Sequence, residues 1–182
     1  MTRLYLVRHG RAAAGFDVAD PALDEVGRTQ AESVAKELAG FGPLPILTSP
    51  LRRTRETAQP LARVWKREPR VEPAIAEIPT PQHLDVTTRV PWLRRFMTGS
   101  WRAADSALAT WRESVIATLL AQPEDAVLFS HFIAINVVVG EATGDRRVVC
   151  FQPDNASRTV VDVEDGSVRI WELGHQADTV VG

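Results

Sequence analysis

Leu4-Tyr5-Leu6-Val7-Arg8-His9-Gly10 decides how the rest of the sequence is read. The first four residues have the length and composition of a buried strand. The strand stops on an arginine and a histidine, so its end delivers two polar groups to one edge of a sheet. Gly10 lets another backbone or a ligand come close. In open α/β sheets, ligands bind outside the carboxyl ends of the strands.

The chain has 182 residues, enough for one domain over residues 1–182 with a sizeable core. It is 45% hydrophobic and 24% charged, ordinary for a globular protein. A formal net charge of −2 argues against a general nucleic-acid or membrane-surface binder. Lys36 and Lys66 are the only lysines, so abundant arginine is a habit of the whole chain rather than a phosphate signal. Cys150 is the single cysteine, which excludes an intramolecular disulfide and a cysteine-based metal cluster. Its setting, Val148-Val149-Cys150-Phe151, is that of a buried structural thiol. A strand begins within a few residues of Met1, and no apolar run reaches membrane-spanning length. The expectation is a cytoplasmic protein without a signal peptide.

Outward from Gly10, residues 11–25 read as a loop holding Gly15, Asp17, Asp20 and Pro21. Ala31, Val34, Ala35, Leu38 and Phe41 then recur at helical spacing, with Gly40 and Gly42 as stops. Pro45 to Thr48 is a second strand. Ser49-Pro50 has the composition of a helix start, with serine as N-cap. That helix has an apolar face of Leu51, Ala58, Leu61, Ala62 and Trp65. Arg70-Val71-Glu72 is a weak third strand, followed by a proline-rich loop around Glu77. Trp92, Leu93, Phe96 and Met97 lie at helical spacing before Gly99-Ser100. A longer helix is expected near 104–121, then a strand over Ala126–Phe129 ending in Ser130-His131, then a buried helix over 132–142. Strands near 157–163 and 167–173 flank Asp165-Gly166, a hairpin turn signal. This alternation predicts an α/β fold, a three-layer α/β/α sandwich. Its sheet is mostly parallel, with an antiparallel C-terminal edge.

Three strands therefore end in chemistry: the first at Arg8-His9, the second before Ser49 and Arg52-Arg53, the fourth at Ser130-His131. If they are parallel, all these groups share one edge. Two histidines and two or more arginines at one point attract a dianion, because the planar guanidinium pairs bidentately with phosphate. A metal site is disfavoured, since the arginines would repel a cation and no acidic ligands accompany the histidines. A Ser-His-Asp hydrolase lacks its Gly-x-Ser-x-Gly elbow.

Arg8-His9-Gly10 after a first strand resembles the signature of the histidine phosphatase superfamily, which includes the cofactor-dependent phosphoglycerate mutases. "DPALDEVGRTQA", Asp20 to Ala31, is similar to the segment opening the family's first helix. "SPLRRTRETA", Ser49 to Ala58, resembles the segment with its second phosphate-binding arginine, here Arg53. Ser130-His131 matches the second histidine, and Asn155-Ala156-Ser157 a short motif at the late strand. The resemblance spans nearly the whole chain and implies a phosphoglycerate mutase-like fold. It implies His9 as nucleophile, forming a phosphohistidine, with Arg8, Arg53 and His131 on the phosphoryl oxygens and Gly10 beside them. It places the acid that protonates the leaving oxygen after the third strand, in the Ala74-Ile75-Ala76-Glu77-Ile78 context, which makes Glu77 the candidate. The family's glycine-aromatic-acidic-glycine stretch is missing beyond it; Pro79-Thr80-Pro81 stands there instead.

The expected function is a metal-independent phosphomonoesterase, without a cofactor, acting on a small phosphorylated metabolite. The alternatives are a phosphoglycerate-type mutase and a phosphate-binding regulatory protein without turnover. A mutase needs a substantial cover, and the stretch between Glu77 and His131 is short, which favours hydrolysis. Arg52, Arg55, Arg94 and Arg95 read as solvated helix charges and Arg11 as a loop charge. Trp92, Phe96 and Trp101 read as core. Asn155 and Ser157 read as residues that hold the strand end.

Overall fold

The computed structural model describes residues 1–13 and 20–177. Gly15 and Asp17 of the expected loop lie outside the described residues. The strands are β1 (Thr2–Arg8), β2 (Ile46–Thr48), β3 (Arg70–Val71), β4 (Ala126–Ser130), β5 (Arg158–Glu164) and β6 (Ser167–Glu172). The helices are α1 (Glu25–Leu38), α2 (Arg52–Trp65), α3 (Val86–Met97), α4 (Ser106–Leu120) and α5 (Phe132–Thr143).

The six strands form one sheet in the order β3-β2-β4-β1-β5-β6. β1, β2, β3 and β4 are parallel; β5 runs antiparallel to β1, and β6 to β5. Arg8 lies opposite Ser130 in the β1–β4 register, and Thr48 opposite Phe129 in β2–β4. The ends that precede His9, Ser49 and His131 therefore lie side by side. The alternation of side chains along each strand supplies both faces with core. Tyr5, Val7, Val127 and Phe129 meet α1 and α2 through Val34, Leu38, Leu61 and Trp65. Leu4, Leu6 and Leu128 meet α4 and α5 through Val115, Leu119, Ile135 and Val139. A third cluster joins Leu93 and Phe96 of α3 to Leu108, Phe132 and Ile133.

Three local expectations are corrected. Ser49 does not cap α2: the helix begins at Arg52 with Leu51 at the N-cap position, and its first amide donates to the Asp20 carboxylate at 2.7 Å. Phe41 is not on the buried face of α1. It stands in a 3-10 turn, 47% exposed, against the Tyr5 ring. Cys150 is half-buried rather than buried, and that burial raises its thiol pKa. Among the described residues, no helix is long and apolar enough to cross a membrane.

Candidate active site

β1 ends by handing its last amide to the other motifs. The His9 amide donates to the Ser130 carbonyl at 3.0 Å, and Asn155 Nδ2 donates to the His9 carbonyl at 3.1 Å. Gly10 follows because nothing larger fits: a Cβ there would stand 2.6 Å from the Gly27 carbonyl of α1. The close partner that glycine admits is thus another backbone. The Gly10 amide is also engaged, donating to Thr57 Oγ1 at 3.0 Å. Its carbonyl accepts from His9 Nδ1 at 2.8 Å. That bond puts the proton on Nδ1 and leaves Nε2 with its lone pair.

Arg53, in the first turn of α2, reaches both histidines. Its Nε donates to His9 Nε2 at 3.2 Å, and its Nη2 lies 3.2 Å from His131 Nδ1. His131, at the N-cap of α5, is fully buried, and its Nε2 lies 2.7 Å from Ser49 Oγ. Ser49 Oγ is also 2.9 Å from Thr54 Oγ1, whose own hydroxyl donates to the Leu51 carbonyl at 2.7 Å. This order of hydroxyls directs the Ser49 proton to Thr54, so Ser49 accepts from His131 Nε2–H. The two imidazole rings are 5.2 Å apart.

Arg8 is buried, stacks 5.1 Å from the Phe132 ring centroid and donates from Nη1 to the Pro153 carbonyl at 2.8 Å. Its Nε is buried without a partner among the described residues. Glu77 follows a 3-10 turn, Pro73–Ile75, and is held between the buried anchors Ile75 and Ile78. Ser130 Oγ donates to the Ile75 carbonyl at 2.7 Å, tying that turn to the end of β4. Glu77 Oε2 stands 3.4 Å from Arg53 Nη2 and 3.6 Å from His131 Nδ1, and its Oε1 accepts from the Ile78 amide.

Arg8, His9, Arg53, Glu77 and His131 thus converge, with Gly10 bonded to the His9 ring. Burial, then Arg53, then Arg8 push the His9 pKa down to about 3, against the bond to Gly10. Burial, His9 and the two arginines hold His131 well below its ordinary value. Both rings are therefore neutral near pH 7. Burial also lowers the pKa values of Arg8 and Arg53, opposed mainly by the charge of Glu77. Among the described residues, Glu77 is the carboxylate in contact with these buried guanidinium groups; Asp154 acts more weakly on Arg8 and Asp20 on Arg53.

The lesser residues sort themselves. Arg52 pairs with Glu56 at 2.6 Å, and Arg11 pairs with Asp24, both on the surface. Arg55, Arg94 and Arg95 are exposed. Trp92 stacks on Phe96, which meets Trp101 edge-on. Ser49 as a partner of His131, and Thr57 as a partner of Gly10, were not legible as such. The available signal was spacing: Thr57 is one helical turn beyond Arg53. Among the described residues, no three His, Cys, Asp or Glu side chains are grouped to hold a metal ion.

Fold and site together define an α/β protein whose strand ends build an oxyanion corner around a histidine. The chain belongs to the histidine phosphatase superfamily, whose branch 1 family model matches residues 4–176. A phosphoserine phosphatase from Entamoeba histolytica, solved with 3-phosphoglyceric acid, superposes with a TM-score of 0.77 at 23% identity, over 97% of this chain and 98% of that one. A mycobacterial glucosyl-3-phosphoglycerate phosphatase, solved with inorganic phosphate, gives 0.74 at 23%, over 99% and 100%. A stretch of 79 residues is 42% identical to a PE-PGRS family protein of Mycobacterium tuberculosis, covering 40% of this chain and 14% of that protein.

Proposed function

We propose that this chain is a metal-independent phosphomonoesterase acting through a phosphohistidine on a small phosphorylated metabolite. The observation that carries the reading is the state of His9: neutral, tautomer fixed by Gly10, its Nε2 lone pair turned to Arg53 between two buried arginines. A phosphoryl group takes Arg53 as its own partner and frees Nε2 for in-line attack on phosphorus. The P–N bond forms as the bond to the leaving oxygen breaks. Arg8, whose Nε has no partner among the described residues, Arg53 and His131 neutralise the developing charge. Glu77 gives its proton to the leaving oxygen, then takes one from the water that cleaves the P–N bond. Its resting contact with Arg53 supports this role, because it holds the carboxyl 3.4 Å from the guanidinium that would take the phosphoryl group.

The test is hydrolysis of p-nitrophenyl phosphate in excess chelator. Wild type turns over; His9→Ala does not, and no acid-labile phosphate is trapped on it. Activity abolished by chelation and restored by magnesium or zinc overturns the metal-independent reading. A folded wild type that binds phosphate and never turns over moves the protein to the regulatory alternative. The substrate is expected in the cytoplasm.

A further inference from the structure

Both supports of the Arg8 guanidinium lead back to one buried amide. The guanidinium stacks on the Phe132 ring and donates from Nη1 to the Pro153 carbonyl at 2.8 Å. Among the described residues, that carbonyl is its one hydrogen-bond acceptor. Asn136 lies on α5 one turn beyond Phe132, fully buried in an otherwise apolar run. Its Nδ2 donates to the Phe132 carbonyl at 3.0 Å. Its Oδ1 accepts from the amides of Cys150 and Phe151, each at 2.9 Å. Two backbone N–H groups converge on that atom, which fixes it as the oxygen of the side chain. Phe151 is buried in the core, and Pro153 follows two residues later.

A polar side chain in such a place is costly unless its bonds are made. This amide supplies what an apolar side chain of the same volume cannot, an acceptor for two adjacent amides in the segment that ends at the Pro153 carbonyl. Without it those amides lose their partner, and the segment shifts to find another. The far side of the segment is fastened separately. The Gln152 carbonyl accepts from the Ala177 amide at 3.0 Å, and the Asp154 amide donates to the His175 carbonyl at 2.8 Å. Asn136 is thus the fastening on the side of α5, the helix that carries Phe132 and has His131 at its N-cap. A guanidinium with one acceptor follows that acceptor when it moves.

We propose that Asn136 is a positioning residue for the phosphate corner, acting on Arg8 through Phe132 and the segment that ends at Pro153. This rests on Arg8 as a phosphoryl ligand, and the experiment separates the two. Calorimetry measures orthovanadate binding to the full chain. Asn136→Ala weakens binding about tenfold when Arg8 is present and no more than about twofold where Arg8 is already alanine. Asn136→Asp keeps the acceptor for both amides and stays within about threefold of wild type. Asn136→Ser is a smaller lesion and carries the same cycle where the alanine variant does not fold. Val138→Ala, a cavity in the core face of the same helix, changes vanadate affinity by less than about twofold. Melting curves establish that each variant is folded. A folded Asn136→Ala with wild-type affinity, an equal loss with and without Arg8, an equal loss in Val138→Ala, or an Asn136→Asp variant as weak as alanine overturns the assignment. Arg8→Ala that binds vanadate as wild type does removes Arg8 from the corner, and the assignment falls with it. A weakened Arg8→Ala beside an unaffected Asn136→Ala sinks the role of Asn136 alone.

Discussion

The phosphate corner and the segment that covers it, from Glu77 to Ala103, are built by different means. In the corner every ring and guanidinium is tied to a strand end or to the first turn of α2. His9 is held by Gly10, Ser130 and Asn155, and His131 by Ser49. The cover is anchored by Ile75 just before it, Ile78 within it and the Ser130 hydroxyl, by aromatic packing around α3, and by backbone bonds that join Gly99 and Trp101 to Val148 and Arg146. The sheet dictates the first region, because parallel register forces three strand ends together. The second carries Pro79-Thr80-Pro81 and leans on side-chain packing. The difference teaches that parallel register brings the two histidines together, while Glu77 reaches them from a turn outside the sheet.

The sharpest way to break that division is Glu77, which belongs to the cover but stands 3.4 Å from Arg53. Glu77→Gln should lose about 10²- to 10⁴-fold on alkyl phosphates in the step that forms the phosphoenzyme. It should lose far less on p-nitrophenyl phosphate, whose leaving group departs without a proton. A burst of nitrophenol and trapped acid-labile phosphate should accompany slow turnover. Equal losses on both ester types would assign the acid to another carboxyl.

Acidification should strike the corner before the cover. An unfolded histidine takes up its proton near pH 6.5, whereas His9 in the fold resists until about 3. The unfolded chain therefore binds more protons in that window. The stability is full above about pH 6.5 and falls as pH drops toward 3. At pH 5 the loss is about 2 kcal/mol from His9 alone, with His131 acting in the same direction. Urea unfolding at pH 7 and pH 5 measures it. Replacing both histidines by glutamine should flatten the dependence. Unchanged wild-type stability would mean that the rings take up their protons over the same pH range in the fold as in the unfolded chain.

Ser49→Ala should act on the corner through His131. It leaves Nε2–H without an acceptor in a fully buried place, a penalty of about 1–3 kcal/mol. Roughly a tenfold loss of kcat/KM, with weaker vanadate inhibition and a shifted pH profile, is expected. Rescue by Ser49→Thr would tie the loss to the hydroxyl. A variant that loses stability and keeps its pH profile would make Ser49 a packing residue only.

What the sequence made legible follows the same line. Strand residues announce themselves by apolar runs, so Leu4 to Val7 and Ala126 to Phe129 were readable, and with them the positions of His9 and His131. Arg53 was singled out from Arg52 by the resemblance of Ser49 to Ala58 to the family's phosphate-binding segment. Ser49 was misread as a cap, because serine before proline has the composition of a helix start. The Asp20 carboxylate, distant in sequence, satisfies the helix instead. Asn136 gave no signal inside an apolar helix, yet its Oδ1 accepts the amides of Cys150 and Phe151.

The smallest expected effect is the finest test, since it separates neighbours one residue apart. Arg52 and Arg53 share the first turn of α2, but the helix turns Arg53 into the corner and Arg52 to the surface. Arg52 pairs with Glu56 four residues on, an exposed contact that contributes about 1 kcal/mol at most. Glu56 keeps a second bond, from the Leu23 amide to Oε2 at 2.8 Å, so removing Arg52 does not orphan it. The Arg52 amide, which Asp20 holds, survives any side-chain change. Arg52→Ala should therefore shift the unfolding midpoint by no more than that exposed pair allows. Its kcat/KM should stay within about twofold of wild type, and its vanadate affinity likewise. Arg53→Ala, measured beside it, should lose vanadate affinity by a few kcal/mol, on the order of a charged hydrogen-bonded pair. If Arg52→Ala weakened vanadate as much as Arg53→Ala, the corner would be reading the summed charge of the helix start. Its specificity would then lie in the field of α2 and not in the fork that touches both histidines.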